Sequence, residues 1–292
     1  MTDRLAGEHD VVVDGKRQHF FVAGRGPHCI VHSGGPGIDA KYLRMPLLEE
    51  HLTMVYLDPI GTGQSDRLAS HPAGYTVDFF SNQLLGFLDV TGIKNAYLLG
   101  HSHGAFVTLQ AALSRSTDLT GLIVYAGAAY TGGAFMRDAS ANIASFVNRN
   151  ELTSEADGVK EAWAAIPRIQ SDSDYTSALK GLLPAYFSDF RRSSTIIQRM
   201  QSNLIATLLI GDNKPFDVRD RLTQLEIPSL VIAGRDDFIL GPQYAEDLAA
   251  KLSSTQFLIL ERSGHFAHLE EPESFADAVA RFVEGTRRVG LS

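Results

Sequence analysis

The chain reads as an α/β protein built on a mostly parallel sheet with helices on both faces and one helical insertion. Three observations predict this. Short runs rich in β-branched and aromatic residues alternate with stretches of helical period. Glycine, proline and polar residues divide these runs, and strands that alternate with helices imply a mostly parallel sheet covered on both sides. The alternation stops between about Tyr130 and Phe216 and resumes with IPSLVIAG.

In chain order, VVVD, QHFFVA, HCIVHS and TMVYLD are predicted strands, separated by Gly, Pro and polar residues. Phe80, Leu84, Phe87 and Leu88 then recur at helical spacing until Gly92 offers a stop. NAYLLG is a strand, SHGAFVTLQAALSRS a helix and LTGLIVYAG a strand. The break that follows carries apolar stripes such as Phe187, Phe190, Ile197, Met200 and Leu204, and we read it as helical. IPSLVIAG and TQFLILE are strands around a helical QYAEDLAAKL, and a last helix from Pro272 sets Phe275, Val279, Phe282 and Val283 on one face. The expected division is core 1–128, helical insertion 129–217 and core 218–292.

Composition narrows the function. With 292 residues, 44 % of them hydrophobic, the chain has material for a large core. A net charge of -8 argues against a nucleic-acid partner, which would be met by a basic patch. There is no basic amphipathic helix and no apolar run of about 18 residues for a membrane. MTDRLAGEHD has acids and no apolar core, so it is not read as a secretory signal, and a cytoplasmic protein is expected. Cys29 is the single cysteine, so no intrachain disulfide is possible; within HCIVHS it reads as a buried strand thiol. His28 and His32 are discounted as metal ligands, because at i, i+4 on a strand they are not expected to share a face as they would on a helix. The expected partner is a small-molecule substrate, with oligomeric state left open.

The chemistry centres on GHSHG, residues 100–104. Gly-x-Ser-x-Gly arises by chance in such a chain with odds of roughly one in six, so its setting decides. Here it follows a predicted strand and opens a predicted helix, the setting of a nucleophile elbow, where flanking glycines avoid collisions in a sharp turn. A serine hydroxyl needs a base and an acid that orients it. GRDD ends one later strand and SGHF the next, offering Asp236 or Asp237 and His265 in the order Ser, Asp, His, each at a strand's C-terminal end. His101, His103 and His268 compete for the base: the first two flank the serine and the third lies beyond the turn. The backbone N–H of His103 is one expected oxyanion donor, and the glycines of HCIVHSGGPG supply the other.

HSGGPG, YLDPIGTGQSD, GHSHG, GRDD and SGHFAHLEEP, in this order over nearly the whole chain, resemble the α/β-hydrolase superfamily, most of all its proline-iminopeptidase-like branch. The resemblance implies an eight-stranded, mostly parallel sheet, a helical cap inserted after the sixth strand, and no cofactor. It implies Ser102 as nucleophile, Asp237 as acid, His265 as base, and an oxyanion hole of His103 with Gly35, or with Gly34 if the glycines are aligned as in hydrolases that cleave carbon-carbon bonds. The chain departs from iminopeptidases at Asp58-Pro59-Ile60-Gly61, where they read Asp-Gln-Arg-Gly. It also lacks their Trp-x-x-Trp-Glu element, since Trp163 is its only tryptophan. A cationic amine has less to pair with here. The expectation is therefore an acyl-enzyme serine hydrolase for an uncharged ester, lactone or amide, with Trp163, Phe187 and Phe238 as substrate-binding candidates. Proline iminopeptidase, carbon-carbon bond hydrolase and a non-catalytic ligand sensor are the alternatives.

Overall fold

All eight predicted strands form one sheet in a computed structural model that describes residues 6–212 and 214–289. They are β1 (Gly7–Val13), β2 (Lys16–Gly24), β3 (His28–His32), β4 (Thr53–Leu57), β5 (Ala96–His101), β6 (Leu119–Tyr125), β7 (Ser229–Gly234) and β8 (Thr255–Leu260). The spatial order is β1-β2-β4-β3-β5-β6-β7-β8, with β2 antiparallel to both its neighbours and every pair from β4 onward parallel. β5 and β7 are buried at every residue, whereas β1 at the edge alternates between exposed and partly buried positions. β1 starts at Gly7, before the apolar VVVD run that announces it. His9 and Asp10 pair in register with Phe20 and His19, and cross-strand pairing extends the strand where residue type alone does not. Of MTDRLAGEHD, residues 1–5 lie outside the described residues.

The helices are α1 (Pro46–Glu49), α2 (Val77–Thr91), α3 (His103–Ser114), α4 (Gly133–Arg149), α5 (Ser154–Ala165), α6 (Asp172–Leu182), α7 (Ser194–Asn203), α8 (Pro242–Ala249), α9 (Ala267–Glu270) and α10 (Pro272–Val289). The Thr76 side chain accepts from the Phe79 amide and so caps α2, and Gly92, at φ 67°, ends it in the left-handed conformation. One apolar cluster packs α2, α3 and α8 on one sheet face through residues such as Leu84, Val107 and Leu248. Another packs α1 and α10 on the opposite face through Leu48, Phe275, Val279 and Phe282. Among the described residues no helix is long and apolar enough to cross a membrane.

Helices α4 to α7 lie between β6 and β7. The chain leaves and returns side by side: Val218 N–H donates to Ala129 O at 2.9 Å and Thr131 N–H to Phe216 O at 2.8 Å. On this ground we propose residues 129–217 as the cap. Its core joins Ile143, Phe146, Val159 and Leu182 to Phe238 and Phe266 from the loops below, so cap and core share one apolar seam. The predicted helical stripe beginning at Phe187 does not form as such. Phe187 is extended (φ -106°, ψ 143°), and only Ile197 and Met200 of that stripe lie within α7. Burial of Phe187 and Phe190 in the seam gives the same apolar spacing without a helix.

Candidate active site

Ser102 sits between β5 and α3 at φ 57°, ψ -121°, a conformation that an L side chain adopts only when its surroundings enforce it. Its N–H donates to Tyr125 O at 3.0 Å and its carbonyl accepts from Ala105 N–H at 2.9 Å. The glycines on either side are required by close approach. A Cβ at Gly104 would lie 2.2 Å from His32 O, and one at Gly100 would lie 2.3 Å from both Gly104 O and Thr108 Oγ1. The turn therefore presses the elbow against the end of β3, which carries the glycine loop.

Asp237 and His265 stand on the loops after β7 and β8, almost fully buried. His265 Nδ1 lies 2.6 Å from Asp237 Oδ2. Asp237 Oδ1 accepts from the amides of Ile239 and Leu240, each at 3.0 Å, so the carboxylate is held by backbone donors on one oxygen and faces the imidazole with the other. With Nδ1 carrying the proton toward Asp237, Nε2 is left with its lone pair. Asp236, the other aspartate of GRDD, is exposed and bonds the Ser188 hydroxyl, so it does not compete. Ser102 and His265 share the wall of one cavity. The Ser102 hydroxyl makes no hydrogen bond among the described residues; such links commonly tighten only when substrate binds.

The glycine loop separates the two oxyanion candidates. Gly34 N–H donates to the Tyr42 hydroxyl at 2.8 Å, whereas the N–H groups of Gly35 and His103 meet no acceptor among the described residues. Tyr42 in turn lies 2.7 Å from His101 Nδ1, and His101 Nε2 donates to His265 O at 3.0 Å. This tautomer makes Nδ1 the acceptor, so the Tyr42 proton points to His101 and a Tyr42 lone pair receives Gly34. His268 is bound between the Tyr125 hydroxyl and Tyr42 O. Burial drives the pKa of His101 well below its usual value and that of His268 down to about 4, so both rings are neutral near pH 7 and fully used as braces.

The cavity over Ser102 has a volume of about 240 Å³. Gly35, Ser102 and His265 lie on its core side, and Trp163, Leu182, Met200 and Leu204 on its cap side, with no Asp, Glu, Lys or Arg in the lining. Of the three aromatic candidates from the sequence, Trp163 lines this cavity. Phe187 and Phe238 do not line this cavity. They are 2 % and 5 % exposed, sunk in the seam between cap and core, and they border instead a separate polar cleft of about 670 Å³ that also meets Arg149, Arg191 and Arg235. Cys29 is buried, and desolvation raises its thiol pKa far above the usual range. His28 and His32 share a face of β3, as residues four apart in a strand do, but at about 3.3 Å per residue they are roughly 13 Å apart. Among the described residues no group of three His, Cys, Asp or Glu is placed to hold a metal ion. Tyr42, Tyr186 and Glu270, which brace this site, carry no signal in the sequence beyond Glu270's place in SGHFAHLEEP.

The sequence profile of the alpha/beta hydrolase fold matches residues 27–272, from β3 to the start of α10. The chain belongs to the α/β-hydrolase family. A protein of Stutzerimonas stutzeri named "Putative carbamate hydrolase RutD" is 26 % identical over 270 residues, 88 % of this chain and 93 % of its own. Among solved structures, the enol-lactonase from Burkholderia xenovorans superposes with a TM-score of 0.72 at 19 % identity, covering 94 % of this chain and 100 % of that one. The meta-cleavage product hydrolase from Pseudomonas fluorescens gives 0.68 at 17 % identity, covering 96 % and 98 %. At such identities the structural likeness speaks for the fold alone. Hydrolase chemistry is common to these members, while the bond each one cleaves differs.

Proposed function

We propose that the protein is a serine hydrolase that cleaves an ester or lactone, or a related amide or carbamate, of a small uncharged substrate through an acyl-enzyme. The observation that carries this is the joining of the Asp237–His265 pair and the strained Ser102 at one cavity without charged side chains. In this reading His265 Nε2 removes the Ser102 proton as the hydroxyl attacks the carbonyl. Asp237 holds the imidazole in the required tautomer and offsets its growing positive charge. The N–H groups of Gly35 and His103 receive the oxyanion, and the N-terminal end of α3 adds a favourable dipole. His265 then protonates the leaving group, and water repeats the attack on the acyl-enzyme.

The uncharged lining speaks against a proline iminopeptidase, whose substrate brings a free ammonium group that here would be desolvated without a carboxylate. The test is intact-mass measurement after a fluorophosphonate probe on wild type and Ser102→Ala, followed by p-nitrophenyl esters, lactones, carbamates, prolyl amides and a dienoic diketone. One adduct absent from the variant, with ester or lactone turnover, is the expected result. No adduct on folded wild type would overturn the proposal and favour a ligand sensor.

A further inference from the structure

The hydrogen-bonding inventory of the cavity is uneven. Its Tyr42 and Tyr175 hydroxyls are spoken for, the first by His101 and Gly34, the second by Pro36 O at 3.0 Å. His101 is bonded at both ring nitrogens. Apart from Ser102 and His265 Nε2, the remaining polar side-chain groups in the lining are the Tyr186 hydroxyl and the Trp163 indole N–H, and neither has a partner among the described residues. Both are donors in an otherwise apolar chamber of Leu, Ile and Met side chains. An alkyl chain filling that chamber would strip them of water and give nothing in return.

Tyr186 also ties the cap to the histidine. It ends the short 3₁₀ turn Leu183–Tyr186, and its carbonyl accepts the His265 N–H at 2.7 Å. Its ring centroid lies 5.1 Å from the His265 imidazole and 4.8 Å from Phe238, while Trp163 meets Phe238 edge-on at 6.0 Å. The approach is close enough that a Cβ at Gly264 would fall 2.3 Å from Tyr186 O. The ring is therefore fixed by its own backbone and by the seam, and Tyr186 lines the same cavity as Ser102 and His265. Burial raises the phenol pKa well above the usual range, so the group remains a donor throughout the physiological span.

Resting on the serine-hydrolase reading above, we propose that Tyr186 is a specificity-determining residue whose hydroxyl donates to a second oxygen of the substrate, a ketone or ether oxygen a few bonds from the scissile carbonyl. The preferred substrates are then oxygen-bearing acyl esters or lactones rather than plain alkanoates. A site with a waiting donor discriminates against an analogue that lacks the acceptor, because the donor is left desolvated and unpaired.

The test compares p-nitrophenyl hexanoate with its 4-oxo and 5-oxo derivatives on wild type, Tyr186→Phe and Trp163→Phe, with fluorophosphonate labelling of each. Wild type is expected to favour an oxo ester by about tenfold in kcat/KM, the worth of one good hydrogen bond. Tyr186→Phe is expected to lose that preference mainly through a higher KM for the oxo ester. The hydroxyl has no protein partner, so its removal leaves the fold intact. An unchanged ratio in a labelled, active Tyr186→Phe protein, or a ratio that moves only in Trp163→Phe, would overturn the assignment while leaving the hydrolase reading in place. Absence of labelling in wild type would bring down both.

Discussion

Glu270 offers a quantitative test of how the cap is fastened to the histidine loop. One of its carboxylate oxygens accepts from Gly264 N–H at 2.7 Å, next to His265, and the other from Ser188 N–H at 2.9 Å, in the cap. Asp236 adds negative charge nearby, and Asp189, Arg192, Glu261 and Arg262 border the same hollow. Desolvation outweighs the backbone donors and pushes the Glu270 pKa from 4.5 up to about 7. A folded state with the higher pKa holds the proton more tightly than the unfolded chain. The stability from this group is thus fully present below about pH 4.5 and is lost as pH rises through 7. A rise from 4.5 to about 7 corresponds to about 3 kcal/mol. Glu270→Gln cannot titrate, so its stability relative to wild type should improve by about 2–3 kcal/mol between pH 5 and pH 8. Urea unfolding of both proteins across that range measures the change independently of any constant offset from the altered hydrogen bonds. Parallel pH profiles would refute the account and would mean that Glu270 is solvated in the folded protein.

Two substitutions probe the site itself. Asp237→Asn keeps the shape but disturbs the imidazole tautomer, and kcat on an ester should fall by about 10⁴ with an unchanged circular dichroism spectrum; a loss under tenfold would remove Asp237 from the mechanism. Tyr42→Phe deprives Gly34 N–H and His101 Nδ1 of their partner. At about 1–3 kcal/mol for each buried unpaired group, partly relieved by relaxation, urea unfolding should show a loss of about 2–4 kcal/mol. A loss below about 0.5 kcal/mol would show that the brace is not needed.

The eight strands and their order along the chain are legible because strand and helix periods, glycine stops and caps act within a few residues of one another. The elbow is legible for the same reason: strand, Gly-x-Ser-x-Gly and helix are contiguous, and Gly100 and Gly104 answer to a clash that the turn itself creates with its surroundings. The choice of Asp237 over Asp236 rested on resemblance; in three dimensions it is Asp237 that has two backbone donors and a 2.6 Å contact with His265.

Tertiary packing decided the rest. The start of β1 depends on pairing with β2, and Phe187 and Phe238 fall to the cap seam while Trp163 reaches the cavity. All three are aromatic residues in apolar company, and their periodicity contains nothing that tells them apart. Gly34 and Gly35 are likewise indistinguishable until Tyr42, eight residues on, occupies the amide of one. Tyr186 and Glu270 meet His265 and Ser188 across 79 and 82 residues of chain. Local sequence determines which backbone conformation each segment prefers. Where a side chain points, and which hydrogen bonds remain open to a substrate, is decided only when segments distant in the chain compete for the same buried space.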